Sequence, residues 1–242
     1  MKLHRFFIEG EFEKDGVSLK DKGLAHQLKN VLRVSKETSV IFFDATGSEY
    51  EVVIKDVRNG VITYEFSGLR KKEEDSLPKV HLFASVIKRE NFEWIAQKAT
   101  ECGASSITPI RAEHTVKLAV KEERLKKIMK EAAEQSGRTR IPDLFPVRDF
   151  SDVLTDVFHG ISVLCDESGD LYSPAIARGK DVRIYIGPEG GWTEKEIAYA
   201  RENDVRVCTI GKFTLRAETA AIVATYLFVN DRKKDGDTDK KR

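Results

Sequence analysis

Short stretches of alternating apolar and polar residues fill the first third of the chain, and turn-forming residues separate them. β-Rich runs cover residues 6–8, 40–43, 50–54 and 61–66. A single helical pattern lies at residues 26–33, where Leu28, Val31 and Leu32 share a face. We therefore expect a small β-barrel or sandwich with one helix over residues 1–70.

After a charged, proline-ended run that is typical of a linker, the pattern changes to apolar runs alternating with helical stretches. This alternation predicts an α/β fold with a mostly parallel sheet. Strands are expected at residues 80–86, 106–110, 161–165, 182–186 and 205–210, and helices at 92–102 and 121–136. The predicted organisation is a domain at 1–70, a linker at 71–79, an α/β domain at 80–230 and an unstructured charged tail at 231–242.

Composition narrows the class of protein. Hydrophobic residues make up 40% and charged residues 33% of the 242, as in soluble globular proteins. Neither a leader segment nor a run of about 18 apolar residues is present, so we expect a cytoplasmic protein that makes no membrane contact. The net charge is only +1, so contacts with a polyanion have to be local. Cys102, Cys165 and Cys208 lack metal-ligand spacing, which predicts reduced thiols and no metal site.

Two glycine-bearing corners each follow a predicted strand. The strand at residues 182–186 leads into Gly187–Gly191 and then a helix-capping box at Thr193–Glu196, and the last predicted strand ends at Ile210-Gly211. Glycines let backbone amides approach a ligand, and ligands of open α/β sheets bind beyond the carboxyl ends of the strands. A plain tight turn before a helix is the alternative. Dinucleotide and nucleoside-triphosphate fingerprints are both absent.

Opposite charges stand two residues apart after the second corner. Arg216 and Glu218 precede an apolar helix at residues 220–229, where exposed charge is seldom placed, although a surface ion pair is the alternative. That helix is apolar on nearly every face, which predicts a cover on its outer side. A two-fold partner would provide one, with Ala220, Ala221 and Ala224 allowing close approach; burial beneath the chain's own loop is the alternative.

Local clusters of basic residues are the candidate contacts for a polyanion. Arg138 and Arg140 stand in a short segment after a predicted helix, where arginine can bind phosphate with two hydrogen bonds. Arg5, Lys29 and Arg33 form a similar set in the first domain. Solvated helix faces are the alternative.

Gly187–Gly191 and Leu215–Ala220 together resemble the paired signatures of the ribosomal RNA uracil-N3 methyltransferases, a branch of the SPOUT superfamily. In order along the chain, the likeness also takes in Arg5–Phe7, His26–Arg33, Ile107–Pro109 and Glu134–Arg138. The resemblance implies an N-terminal PUA-like barrel that binds RNA, a C-terminal domain threaded into a trefoil knot, and a homodimer. It further implies S-adenosyl-L-methionine as cofactor and 16S ribosomal RNA or the small ribosomal subunit as substrate.

The implied reaction assigns roles to the candidate residues. Methyl transfer is an in-line displacement, and uracil N3 must lose its proton while charge spreads to O2 and O4. We expect Arg216 to stabilise that charge and Glu218 or Glu189 to act as base or orienting group, without ranking the two. Cofactor contacts are expected from Leu164, Gly187, Pro188, Gly190, Gly191, Ile210, Gly211 and Leu215.

One departure concerns the second loop. Where the family usually has Pro-Arg-Ile, this chain has Lys212-Phe213-Thr214, so a loop arginine is missing and Lys212 is a candidate for its role. Three other functions stay open from sequence: a non-catalytic ribosome-assembly module, a ribose 2′-O-methyltransferase and a nucleotide-dependent oxidoreductase. The missing GxGxxG motif disfavours the last.

Overall fold

Two compact units make up the chain. The computed structural model describes residues 3–10, 12–13, 17–72, 78–116, 119–177 and 179–230. An N-terminal unit holds the described residues within 1–75 together with 133–141, and a C-terminal unit holds those within 76–132 and 142–242. Sequence reasoning did not anticipate that residues 133–141 belong with the first unit. The predicted tail and most of the predicted linker lie outside the described residues.

A five-stranded sheet and one short helix form the N-terminal unit. Its elements are β1 (Arg5–Phe7), β2 (Ser18–Lys20), α1 (Lys22–His26), a π-helical turn (Gln27–Val31), β3 (Thr38–Phe43), β4 (Ser48–Arg58) and β5 (Val61–Lys72). The strand order is β1-β3-β4-β5-β2, with β1 parallel to β3 and the other pairs antiparallel. The strands predicted in this part of the chain are confirmed, and β2 was missed.

The core of this unit follows from the alternation along its strands. On β4, Tyr50, Val52 and Ile54 are buried and take every second position, as period-two patterning requires. Phe12 stacks on Tyr50 with a centroid separation of 4.2 Å. The core therefore rests on one inward-facing side of the sheet.

Asp44, fully buried at the end of β3, is the most heavily hydrogen-bonded carboxylate of the unit. It accepts hydrogen bonds from the backbone N–H of Phe12 at 3.0 Å, from the N–H and hydroxyl of Thr46, and from the Tyr50 hydroxyl. Burial opposes its negative charge, but these donors outweigh that cost and lower the pKa of Asp44. The carboxylate thus ties the segment at Phe12 to the end of β3 and to β4 as an anion.

The predicted helix at residues 26–33 is partly wrong. Helix α1 begins earlier, at Lys22, and continues as a π-helical turn that ends at Val31. The wider turn, closed by a hydrogen bond from the Leu32 N–H to the Gln27 carbonyl, rotates Val31 outward to 66% exposure, while Leu28 stays buried. Arg33 has φ +51°, which ends the helical path.

The C-terminal unit is a parallel sheet with helices. Its strands are β6 (Val80–Ser85), β7 (Ser106–Arg111), β8 (Asp143–Leu144), β9 (Arg148–Asp149), β10 (Ile161–Leu171), β11 (Val182–Ile186) and β12 (Arg206–Thr209). Its helices are α2 (Arg89–Cys102), α3 (Glu122–Ser136), α4 (Phe150–Leu154), α5 (Glu194–Glu202) and α6 (Ala217–Asn230), with a 3₁₀ turn at Pro174–Ala177; the end of α3, from Ala133, counts with the N-terminal unit.

All described strand pairs of this sheet are parallel, in the order β12-β10-β11-β6-β7-β8, with β9 beside β7. The α/β class and the mostly parallel sheet are therefore confirmed. Helix α6 contacts β6, β11 and α2. Gly103 ends α2 at φ +107°, and a Cβ there would lie 2.9 Å from Val229 of α6. The Val229 side chain consequently packs directly against the backbone at the end of α2.

Candidate functional site

The two predicted glycine corners lie at one edge of the C-terminal sheet. Strands β12, β10 and β11 are neighbours and parallel, so their carboxyl ends point the same way. The loop after β11 consequently begins beside Cys165 and the loop after β12 beside Leu171, on opposite sides of β10. This is the edge at which open α/β sheets bind their ligands.

The first corner, Gly187–Gly191, is braced from inside by an indole ring. A Cβ on Gly187 would lie 3.0 Å from the ring of Trp192, and the Trp192 indole N–H donates to the Cys165 carbonyl at 3.2 Å. Gly191 has φ +70°, a conformation that favours glycine. The corner is thereby held against β10.

A loop after β7 supports the same corner. The Nδ1 atom of His114 lies 3.0 Å from the Gly190 carbonyl and 3.2 Å from that of Gly191, and a Cβ on Gly190 would lie 3.0 Å from the His114 Cβ. The Glu113 N–H donates to Glu196, which also closes the predicted capping box with Thr193. The capping box is thus confirmed, and sequence reasoning missed His114 because its partners are distant along the chain.

The second corner is tied to β10 through side chains. The Thr209 hydroxyl donates to the Gly211 carbonyl at 3.0 Å, and the Thr214 hydroxyl donates to Glu167 at 3.1 Å. A Cβ on Gly211 would meet no atom within 4 Å, so the backbone there is open to a ligand. Within the departing segment, the Lys212 ammonium lies 5.9 Å from the centre of the Phe213 ring.

Between the two corners, β10 bulges. Both Cys165 and Asp170 pair with Cys208 of β12, so the residues between them leave the regular ladder. A Cβ on Gly169 would lie only 2.5 Å from the backbone nitrogen of Cys208. A glycine within a strand pattern signals such a bulge, and this signal was available in the sequence.

Arg216 and Glu218 differ sharply in exposure. Arg216 is exposed just before α6, and its carbonyl accepts the Ala220 N–H at 2.8 Å. Glu218 is 5% exposed in the first turn of α6, where the helix dipole stabilises negative charge. Although both residues are described, the structure records no ion pair between them, so the surface ion pair considered from sequence is not what it shows.

The remaining predicted cofactor residues divide by burial. Ile210 and Leu215 are half-buried beside the second corner. Pro188 is buried, and Leu164 is fully buried within the core formed with Phe150 and Tyr185. The Leu164 side chain therefore belongs to the protein interior, and only its backbone lies near the sheet edge.

The predicted RNA-binding residues fall into two groups. The Arg5 side chain is 9% exposed, forms an ion pair with Glu49 and donates to the Arg138 carbonyl at 2.6 Å. Arg140 likewise donates to the Thr46 carbonyl at 3.0 Å. Lys29 and Arg33 are exposed. Arg5 thus holds the interior of the N-terminal unit together, and the RNA contacts of this set stay predictions.

The described residues contain neither a membrane-spanning helix nor a metal-ligand cluster. No helix among them is long and apolar enough to cross a membrane. Within the same residues, no three His, Cys, Asp or Glu side chains are grouped so that they could hold a metal ion.

Known proteins that are similar to this chain match it over most of its length. The family model described as RNA methyltransferase domain matches residues 73–229. Ribosomal RNA small subunit methyltransferase E of Bacillus subtilis is 31% identical over 215 residues, covering 82% of this chain and 84% of the relative. The protein of the same name from Rickettsia conorii is 27% identical, with 93% and 94% covered. The Neisseria gonorrhoeae enzyme, solved bound to S-adenosyl methionine, superposes with a TM-score of 0.84 at 25% identity, with 93% and 95% covered.

Proposed function

Since this chain belongs to the ribosomal RNA small subunit methyltransferase E family, we propose that it transfers a methyl group from S-adenosyl-L-methionine to N3 of a uridine in 16S ribosomal RNA. One observation carries the proposal beyond family membership. Two glycine corners lie on either side of β10, and an exposed arginine and a buried glutamate follow the second corner along the chain. The choice of uridine N3 comes from the paired loop signatures.

The backbone at these corners fits the proposed cofactor. Gly191 and Gly211 have no atom within 4 Å of a Cβ position, so their peptide groups can approach an adenosine or a carboxylate closely. Ile210 and Leu215 provide half-buried apolar surface beside them. S-adenosyl-L-methionine, when bound, supplies a sulfonium methyl group for in-line transfer.

The charged residues fit separate tasks. Arg216, exposed at the mouth of the second corner, stabilises the negative charge that develops on the uracil oxygens. Glu218 is buried in the first turn of α6 and has little access to water, so it fits the orienting group better than the base. Glu189, at the exposed tip of the first corner, can pass a proton to water and fits the base.

The finer fold assignments belong to the same proposal. The five-stranded sheet with α1 supports a PUA-like RNA-binding unit. The contacts of α6 with β6, β11 and the 3₁₀ turn after β10 support a threaded, trefoil arrangement. The half-exposed side of α6 supports a homodimer. A ribosomal substrate agrees with the predicted cytoplasmic location.

The test is nucleoside mass spectrometry after incubation of the full-length protein, S-adenosyl-L-methionine and unmodified small subunits. We expect 3-methyluridine in stoichiometric amounts. Ribose 2′-O-methylation instead would assign the alternative transferase. Cofactor binding by calorimetry without any methyl transfer would assign a non-catalytic assembly role.

A further inference from the structure

An open cleft of about 240 Å³ lies on the N-terminal unit, between helix α1 with its π-helical turn and the tight turn that joins β4 to β5. Its lining residues are basic, amide-bearing or small: Lys22, Ala25, His26, Lys29, Asn30, Val57, Asn59 and Gly60. Of the RNA contacts expected from sequence, only Lys29 is among them.

The cleft is positive because its basic groups have no acidic neighbours in the wall. Lys22, His26 and Lys29 stand three or four residues apart on one helical path, so they share a face. Among the described residues, no carboxylate lines the cleft. The two nearest carboxylates in sequence are occupied, since Asp21 accepts the Leu24 N–H at 2.9 Å and Asp56 pairs with Arg58 at 2.8 Å.

The cleft is also preformed. Asn59 and Gly60 have φ +53° and +77°, which fixes the turn between β4 and β5. The Gly60 carbonyl accepts the Asp21 N–H at 3.1 Å, and a Cβ on Gly60 would lie 2.8 Å from the Lys22 side chain. The turn is thereby held close against the start of α1. The Asn59 side chain therefore already lies at the rim of the cleft, and no rearrangement is needed to place it there.

We infer that this cleft binds one unpaired nucleotide of the RNA substrate. Lys22, His26 and Lys29 face its phosphate, and the amides of Asn30 and Asn59 can donate to and accept from a base edge. Proteins read RNA sequence mainly at unpaired bases, and the volume lies below the roughly 300 Å³ at which small-molecule pockets begin, which suits a single nucleotide. This inference rests on the proposed function and names where the N-terminal unit grips its substrate.

The experiment compares two charge reversals in the full-length protein, Lys29→Glu in the cleft and Lys36→Glu outside it. Both lysines are exposed, so both variants should melt within a few degrees of the parent. Binding is measured by fluorescence anisotropy with a small-subunit RNA fragment that has an unpaired loop, and with a duplex of equal length. We expect Lys29→Glu to raise Kd for the loop RNA at least about tenfold. The slope of log Kd against log salt concentration should fall by about 0.7, which is the contribution of one phosphate contact on a single strand. Lys36→Glu should change Kd by less than about twofold.

Three results would overturn the inference: equal effects of the two variants, equal weakening of loop and duplex RNA by Lys29→Glu, or competition by micromolar uridine 5′-monophosphate, which would mark a free-nucleotide site. Methyl transfer by the parent is measured in parallel. If the parent transfers methyl groups while Lys29→Glu binds normally, only the cleft fails. If Lys29→Glu alone loses loop binding while the parent transfers nothing, only the proposed reaction fails.

Discussion

Arg216 and Glu218 show how much two neighbouring residues can differ once the chain folds. From sequence, both were simply charges beside an apolar helix. The structure leaves Arg216 exposed and buries Glu218 in the first turn of α6. A buried carboxylate at a helix start is a costly feature that a plain surface would not need, which favours a role at the site.

We expect Arg216→Ala to lower kcat at least about tenfold, near 1.4 kcal/mol, because charge stabilisation is lost in the transition state. Cofactor affinity, measured by calorimetry, should stay within about threefold, since backbone groups hold the cofactor. Arg201→Ala, an exposed arginine on α5, is the matched control and should be fully active. Unchanged kcat in Arg216→Ala would remove this residue from the mechanism.

A second residue-scale prediction concerns Asp44. Because hydrogen bonds lower its pKa in the folded state, its stabilisation is present above about pH 4 and is lost as the pH falls through the lowered folded value. In Asp44→Asn, the amide N–H₂ group faces hydrogen-bond donors and cannot accept from them. We expect this change to lower the free energy of unfolding by on the order of 1–3 kcal/mol at neutral pH. Denaturant unfolding at pH 7 and pH 3 should show that the variant loses less stability on acidification than the parent.

The matched control for that measurement is Asp56→Asn. Asp56 pairs with the exposed Arg58, and such a surface pair contributes about 0–1 kcal/mol. Equal stabilities of Asp44→Asn and the parent at pH 7 would show that the buried hydrogen bonds of Asp44 do not stabilise the unit.

At the scale of elements, the bulge of β10 decides how closely β10 and β12 approach. We expect Gly169→Ala to weaken cofactor binding at least about tenfold, because the added methyl group would lie 2.5 Å from the Cys208 backbone and force the strands apart. Calorimetry measures the affinity. Gly68→Ala, on β5 with no atom within 4 Å of the new methyl group, is the control and should bind normally. Normal cofactor binding by Gly169→Ala would show that the site tolerates a wider separation of β10 and β12.

Periodicity predicted the long elements because each buries a regular stripe. In α3, Leu125, Met129 and Ala132 are buried and Ile128 is half-buried. Periodicity did not predict elements that depend on partners distant in sequence. Strands β8 and β9 have two residues each, which is too few to show a period, and they form because they pair with β7.

The candidate site likewise has parts that local sequence patterns predicted and parts that they did not. Glycine turns and a capping box carry local signals, so both corners and Thr193 were predicted. The supports of the corners were not, because His114 and Glu167 reach them through contacts 76 and 47 residues away along the chain. Leu164 was expected to contact the cofactor, and only the packed core shows that its side chain points inward.

For the molecule as a whole, α6 is the element at which a contact between subunits was expected. Of the three alanines expected there, Ala220 is half-buried, whereas Ala221 and Ala224 are fully buried within the chain itself, because this side of α6 lies on its own strands and α2. The outward side carries Tyr226, which is 57% exposed. Any interface on α6 must therefore use this second side.

We expect sedimentation equilibrium to give twice the monomer mass for the parent at tens of micromolar. The Tyr226→Arg variant should give the monomer mass and should remain folded at temperatures below its melting transition. Ala221→Arg would test folding instead, since no space exists there. Tyr199→Arg, a partly exposed tyrosine on α5, is the control and should stay dimeric. A parent that sediments as a monomer would contradict the dimer.

The assignment of residues 133–141 to the N-terminal unit has a consequence for how the protein is made. Translation at about 5–20 residues per second leaves an interval of roughly 3–12 seconds between the emergence of residue 75 and that of residue 133. During that interval Arg5 has Glu49 but lacks the Arg138 carbonyl, and the Phe7 N–H lacks Glu134. The first unit to leave the ribosome thus stays incomplete until residues 133–141 have followed, so nascent chains stalled near residue 120 should be cut by protease within it, and chains stalled past residue 180 should resist.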